Sequence, residues 1–296
     1  MMAMPDVLGT IPTVNRTVMA RTLRFMRRHV LLVIGSSLLL AIVFGAIFAS
    51  FLAPYDPTAI DFASKLNPPS LHHLMGTNNL GQDIFSQVLF GARASLTVGV
   101  GVVVFAIAIG VPIGLVAGYF GGWLDTALMR FTDVFLAFPP LLLPIAITAA
   151  LGTGLFNAML ALAISWFPWY VRIVRAGVVQ VKGELFISAA RVMGVSDLRI
   201  MFRHALPNSL TPIIVQGSTD FGYAILAAAS LSFIGIGAQP PTPEWGLMVA
   251  LSRDRFLDAW WTVAGPGFAI FITVLSVNLM GDGLRDLLDP KHRSNS

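Results

Sequence analysis

The stretch ELFISAARVMGVSDLRIMFRHALPNSL, residues 184–210, interrupts a chain that is otherwise greasy and almost free of charge. Charged residues, small residues and two helix breakers, Gly194 and Pro207, crowd together in it. A connection between neighbouring helices needs only a few residues, so a segment this long forms structure of its own. Glu184 to Met193 holds helix formers and the adjacent alanines Ala189 and Ala190. Gly194 takes the left-handed conformation that ends a helix at little cost. Ser196 is placed to cap a second helix, Asp197 to favour its positive end, and Pro207 to stop it. The expected shape is two short helices joined at a bend.

The flanks decide the setting. Of 296 residues, 56% are hydrophobic and 11% charged, against about a quarter charged in soluble domains. Uncharged runs cover 30–52, 96–120 and 259–281, which are 23, 25 and 23 residues long. Each exceeds the roughly 20 residues that cross a hydrocarbon core of about 30 Å. They are continuous rather than alternating, which excludes a barrel and leaves helices, whose backbone groups are satisfied internally. A 37-residue uncharged run, 134–170, is too long for one helix and divides at Leu151-Gly-Thr-Gly-Leu155. That division places spans at 124–151 and 156–174. A further span, 209–236, holds Asp220 near its middle. The fold class is all-α integral membrane, with six transmembrane helices. The first run is longer than a secretory h-region of about 7–15 residues and reads as a retained span.

Orientation follows from lysine and arginine placement. With the tail 1–29 in the cytoplasm, 15 of the 19 basic residues fall inside, including Arg16, Arg21, Arg24, Arg27 and Arg28. Lys65, Arg93, Arg253 and Arg255 remain for the outer loops 53–95 and 237–258. The loop 181–208 and the tail 282–296 are then cytoplasmic. The net charge of +4 is an orientation signal rather than a nucleic-acid footprint. The chain has no cysteine, which excludes disulfides, thiolate metal sites and cysteine nucleophiles.

Individual residues admit two readings each. Ala189, Ala190 and Gly194 remove bulk beside Arg191 and Asp197, which suits either a docking surface for a soluble partner or an amphipathic helix on lipid headgroups. An acid at mid-span is costly, so Asp220 either lines a solute path, sharing a face with Gln216, Tyr223 and Ala227, or is protonated or hydrogen-bonded to Gln216, Ser218 or a neighbouring helix. Arg130 and Asp133 are spaced to pair at i, i+3 and to hold the inner end of their span. Asp282, Arg285, Asp286 and Asp289 suggest an ion network or a partner contact. His72 and His73 are better read as loop contacts than as metal ligands. Trp166, Trp169 and Tyr170 suit an interfacial aromatic belt.

The spacing Ser188-Ala189-Ala190, three residues, Gly194, nine residues, His204-Ala205-Leu206-Pro207 resembles the EAA loop of permease subunits in ATP-binding-cassette importers. That pattern is Glu-Ala-Ala, three residues, Gly, nine residues, Ile, one residue, Leu-Pro. Both spacings are kept, with Ser188 for the glutamate and His204 for the isoleucine. The stretch His73-Leu74-Met75-Gly76-Thr77-Asn78-Asn79-Leu80-Gly81-Gln82-Asp83, continuing to Phe90-Gly91-Ala92-Arg93-Ala94-Ser95-Leu96, is similar to the outer segment of dipeptide and oligopeptide permeases. Asn78 and Gln82 stand where that family has an acid and an arginine, so a salt bridge typical of relatives is missing. Leu231 to Gly237, Pro240 to Gly246 and Asn278 to Asp286 match as well. Within the family, the second permease subunit of a dipeptide or oligopeptide importer is the best match.

The resemblance implies a type I importer permease fold whose cytoplasmic coupling helix sits in an ATPase cleft, carried here by Ser188, Ala189, Ala190, Arg191, Gly194, Leu206 and Pro207. It implies a second permease subunit, two ATP-binding subunits and an external substrate-binding protein. The chain has no phosphate-binding Gly-Lys loop, since none of Lys65, Lys182 and Lys291 follows a glycine. Nucleotide and magnesium are thus expected on the partners, with no catalysis and no cofactor on this chain. Short peptides are the expected cargo; nickel chelates, glutathione or opines are the alternatives within the family. A proton-coupled carrier would need more intramembrane acids than Asp220, and a docking scaffold would use the loop alone.

Overall fold

Long apolar runs in lipid satisfy their backbone groups by forming helices, and the computed structural model, which describes residues 26–288, assigns helices and no strands over that range. The principal helices are α1 (Val30–Ile47), α2 (Ile84–Phe120), α3 (Gly122–Leu136), α4 (Leu142–Leu151) and α5 (Leu155–Lys182). They are followed by α6 (Leu185–Val192), α7 (Asp197–Ile200), α8 (Leu210–Ile234), α9 (Trp245–Ser252) and α10 (Trp261–Leu288). Residues 1–25 and 289–296, with Arg16, Arg21, Arg24, Asp289, Lys291 and Arg293 among them, lie outside the described residues.

The expected outer loop 53–95 gives up its last part to helix. The Asp83 carboxylate accepts from the Ser86 backbone N–H at 2.8 Å and from the Ser86 hydroxyl at 2.7 Å, so α2 is capped and starts at Ile84. The expected span 96–120 is the inner part of this 37-residue helix, which at 1.5 Å per residue is about 55 Å long. The expected span 124–151 is two helices. Pro139 and Pro140 lack the N–H that a helix needs and disfavour helical geometry just before them, so α3 ends at Leu136 and α4 begins at Leu142. α5 runs beyond 174 to Lys182, and α10 covers Trp261–Leu288 rather than 259–281.

By length and composition, α1, α2, α5 and α10 are long and apolar enough to cross a membrane. α8 has 25 residues but carries Gln216, Ser218, Thr219 and Asp220 in its first half, and α3 and α4 are short. Four described helices meet that measure where six crossings were expected.

Glycines set how closely the long helices pack. Gly110, Gly114 and Gly118 recur every four residues along α2, and they face a backbone row on α5. A Cβ at these positions would stand 2.7 Å from the Phe167 carbonyl oxygen, 2.5 Å from that of Val171 and 2.9 Å from that of Arg175. Small residues at such intervals let two membrane helices approach backbone to backbone. α1 meets α10 in the same way, with Gly35 against the Met280 amide and the Ser276 carbonyl.

The buried residues fall into three clusters: an inner one, including Leu115, Tyr119, Tyr170, Val174 and Ile200, a second with Val98, Val102, Leu162 and Leu231, and an outer one built on Ile84, Ala92 and Trp245. At the outer end Glu244 is buried and caps α9, accepting from the Gly246 and Leu247 amides at 2.9 Å each and from the Ser95 hydroxyl at 3.0 Å. The Trp245 indole donates to the Val88 carbonyl at 3.0 Å. At the tip of the outer loop side-chain amides pair: Asn78 donates to the Gln82 side-chain oxygen at 2.8 Å, and Gln87 donates to the same oxygen at 2.9 Å. Paired amides thus stand where an acid–base pair was missing. His73 Nδ1 lies 3.0 Å from Asp83 Oδ1, with its ring against Tyr55.

Candidate coupling elbow and intramembrane carboxylate

The segment 184–208 is an elbow beneath the inner ends of α2 and α5. α6 buries Ile187 and Ala190, three residues apart on one face, against the inner cluster. It ends at Gly194, whose φ of +77° lets the Gly194 amide donate to the Arg191 carbonyl at 2.9 Å and the Val195 amide to the Ala190 carbonyl at 3.1 Å. That pair of bonds is the Schellman ending of a helix. Ser196 occupies the N-cap position of α7 but makes no side-chain capping bond. The second arm does not stop before Pro207: it passes through a π-helical stretch, Met201–Ala205, and a turn, Leu206–Asn208, into α8. The wider turn lies just ahead of the proline, where its ring would otherwise crowd the Arg203 carbonyl. Ile200, Met201 and Ala205 bury the inner side of this arm.

The opposite side is largely apolar, and none of the described residues covers it. Leu185 is 87% exposed, Val192 90%, Met193 75% and Leu198 67%, and the basic side chains Arg191, Arg199 and Arg203 stand exposed among them. Ser188, Ala189, Arg191, Gly194 and Pro207 share this exposure, and the space around a Cβ at Gly194 is open to 4 Å. Ala190 and Leu206 are placed differently. Ala190 is 4% exposed and belongs to the inner cluster, with Leu206 packed against it. The seven residues expected to act together divide into an outward set of five and an inward pair that roots the elbow.

Two ion pairs staple α3 to α5 above the elbow. Arg175 holds Asp125 through two bonds, of 2.5 and 2.6 Å. Asp133 takes Arg172 at 2.7 Å, while the i, i+3 partner expected from sequence, Arg130, is 3.9 Å away and largely exposed. The contact across helices is the close, charge-assisted hydrogen bond of the two. Among the described residues, no ion pair joins Asp282, Arg285 and Asp286.

Asp220 has both oxygens occupied: the Tyr170 hydroxyl donates to Oδ2 at 2.7 Å and the Gln216 amide to Oδ1 at 2.8 Å. Ser218 instead donates to the Val215 carbonyl. Tyr223 is 59% exposed and makes no bond to this group, so the expected trio splits into a bonded pair and an outward ring. Tyr170 itself is fully buried and part of this cluster, not of an aromatic belt; Trp166 is partly buried against the core, and Trp169 is the ring of the three that faces outward. Sequence reading missed the bonds that Tyr170, Tyr119 and Glu244 make. Glutamate is not among the preferred N-caps, and an aromatic next to arginines gives no local sign of a distant carboxylate.

This helical chain, with four helices among its described residues long and apolar enough to cross a membrane, has known relatives. Residues 110–294 match the binding-protein-dependent transport system inner membrane component family, to which the chain belongs; residues 17–69 match the N-terminal TM domain of oligopeptide transport permease C. The family works in transport rather than catalysis. The chain is 46% identical over 269 residues to the dipeptide transport system permease protein DppC of Alkalihalophilus pseudofirmus, covering 91% of this chain and 88% of that one. It is 49% identical to the probable D,D-dipeptide transport system permease protein DdpC of Escherichia coli, covering 83% and 82%, and 46% identical to the glutathione transport system permease protein GsiD of Pectobacterium atrosepticum, covering 92% and 90%. Its fold matches a chain of the MetNI methionine ABC transporter, solved in inward-facing conformations, with a TM-score of 0.55 at 18% identity over 69% of this chain and 96% of that one. The type I importer permease fold expected from the sequence is the fold observed.

Proposed function

We propose that this chain is one of two permease subunits in an ATP-driven importer of short peptides. Six crossings, with α3–α4 and α8 completing the four strongest spans, leave both termini and the elbow in the cytoplasm. Two ATPase subunits bind and hydrolyse ATP, and the outward set Ser188, Ala189, Arg191, Gly194 and Pro207 docks one of them. A binding protein delivers cargo to the outer face, and the solute path follows the junction of the two permeases. No cofactor is bound by this chain.

One observation carries the reading. An elbow with a buried inner side exposes four apolar residues and three arginines, which none of the described residues covers. A soluble surface of that make-up is a docking surface. Gly194 sits at its bend with open space before it, where a partner's wall can approach. Gly194→Asp places a charge there in a strained backbone, and is expected to abolish co-purification of the ATPases while the chain still inserts in the membrane. Wild-type recovery of the ATPases with this variant refutes the docking role. Glutathione is the second reading of the cargo, supported by the GsiD relative; competition of labelled dialanine uptake by glutathione separates the two.

A further inference from the structure

An elbow that moves with its ATPase must hand that movement to the spans, and the side chain at the junction is Tyr119. It is buried in the last turn of α2, and segments from three other elements meet on it. Its carbonyl accepts from Lys182 Nζ, at the end of α5. Its ring has Arg191 of α6 5.4 Å from its centroid and Lys182 5.7 Å from it, within range of a cation–π attraction. Its hydroxyl donates to the carboxylate of Asp197, 78 residues away at the start of α7. The ring also packs in the inner cluster with Ile187, Ala190 and Ile200 from both arms of the elbow.

Resting on the importer reading above, we propose that Tyr119 is a positioning residue: its hydroxyl bond to Asp197 locks the elbow to α2 so that the two move as one body. α2 is suited to carry the movement outward. Its other end binds α9 through Ser95 to Glu244 and through Val88 to Trp245. Pro112 interrupts its hydrogen-bond ladder, but Gly110, Gly114 and Gly118 clamp it to α5 on both sides of that point. Packing alone would be met by phenylalanine. The hydroxyl adds a directional, charge-assisted bond that fixes the rotation of the elbow relative to α2.

The test uses the whole complex, with partner permease, ATPases and binding protein, reconstituted in lipid with labelled dialanine as cargo. The chain has no cysteine, so spin labels at Asn208→Cys, an exposed position of the elbow outside its docking set, and at Leu257→Cys, exposed beyond α9, report its movement. Tyr119→Phe and Asp197→Ala are expected to recover the ATPases fully and to hydrolyse ATP within about twofold of wild type. Uptake per ATP falls about tenfold, the scale of one hydrogen bond to a charged group, and the label distance, which one rigid body keeps constant through the nucleotide cycle in wild type, becomes nucleotide-dependent. Asp197→Asn still offers an acceptor oxygen and is expected to retain uptake per ATP within about threefold. Tyr119→Phe with wild-type uptake per ATP overturns the proposal, as do equal losses in Asp197→Asn and Asp197→Ala, which would mean that charge and not the hydrogen bond matters. A wild-type complex that lacks ATP-dependent uptake brings down the importer reading itself, and this role with it.

Discussion

Glu244→Ala is expected to detach α9 from the outer end of α2. The wild-type carboxylate is 2% exposed and receives three donors: the Gly246 amide, the Leu247 amide and the Ser95 hydroxyl. Alanine leaves two amides at the start of a buried helix without acceptors. Orphaned buried donors cost about 1–3 kcal/mol each, and breaking a buried charged network costs about 3–5 kcal/mol, so about 4 kcal/mol is the expected loss. Glu244→Gln has the same shape but turns an NH2 group toward one of the three donors, and about 1–2 kcal/mol is expected for that single mismatch. Heating of the purified protein in detergent measures both. At roughly 2–4 °C per kcal/mol for a chain of this size, alanine lowers the midpoint by roughly 10 °C and glutamine by a few degrees. Trp245, the first residue of α9 and 1% exposed, should shift its emission to longer wavelength in the alanine variant. Equal midpoints for wild type and Glu244→Ala, with unchanged emission, would show that the cap is not what holds α9 in place.

Two further outcomes follow from the packing. Gly114→Leu puts a side chain where even a Cβ stands 2.5 Å from the Val171 carbonyl oxygen, and overpacking of this kind costs about 1–3 kcal/mol; the melting midpoint should fall, and a midpoint equal to wild type means α2 and α5 are not in backbone contact. Asp220→Asn retains an acceptor for one of its two bonded partners, Tyr170 and Gln216. If those bonds hold α8 to α5, dialanine uptake survives in Asp220→Asn and is lost in Asp220→Leu; loss in both assigns the carboxylate a charge-dependent part in the path.

Much of the architecture is legible in local sequence. Uncharged runs of 23 to 25 residues mark helices in lipid because nothing else satisfies the backbone there. Gly194 marks the bend because the left-handed ending needs a residue without Cβ, and the bend is found at that residue. Boundaries were less legible. The run at 96–120 hides a helix that starts at Ile84, since polar residues in the outer turns of α2 are buried by α9 and the outer loop rather than by lipid. Pro207 reads as a stop, yet a π turn before it carries the chain through.

Composition and spacing by themselves determined that this is a helical membrane chain with a bent inner elbow, because burial in lipid and backbone geometry act within a few residues. Which side chains meet was decided by the tertiary structure: Tyr119 with Asp197, Tyr170 with Asp220, Arg175 with Asp125, Ser95 with Glu244. These pairs lie 50 to 149 residues apart, beyond any helical period. Each pair joins two different elements, α2 with α7, α5 with α8, α5 with α3 and α2 with the cap of α9, and only the packing of the whole chain brings them within bonding distance.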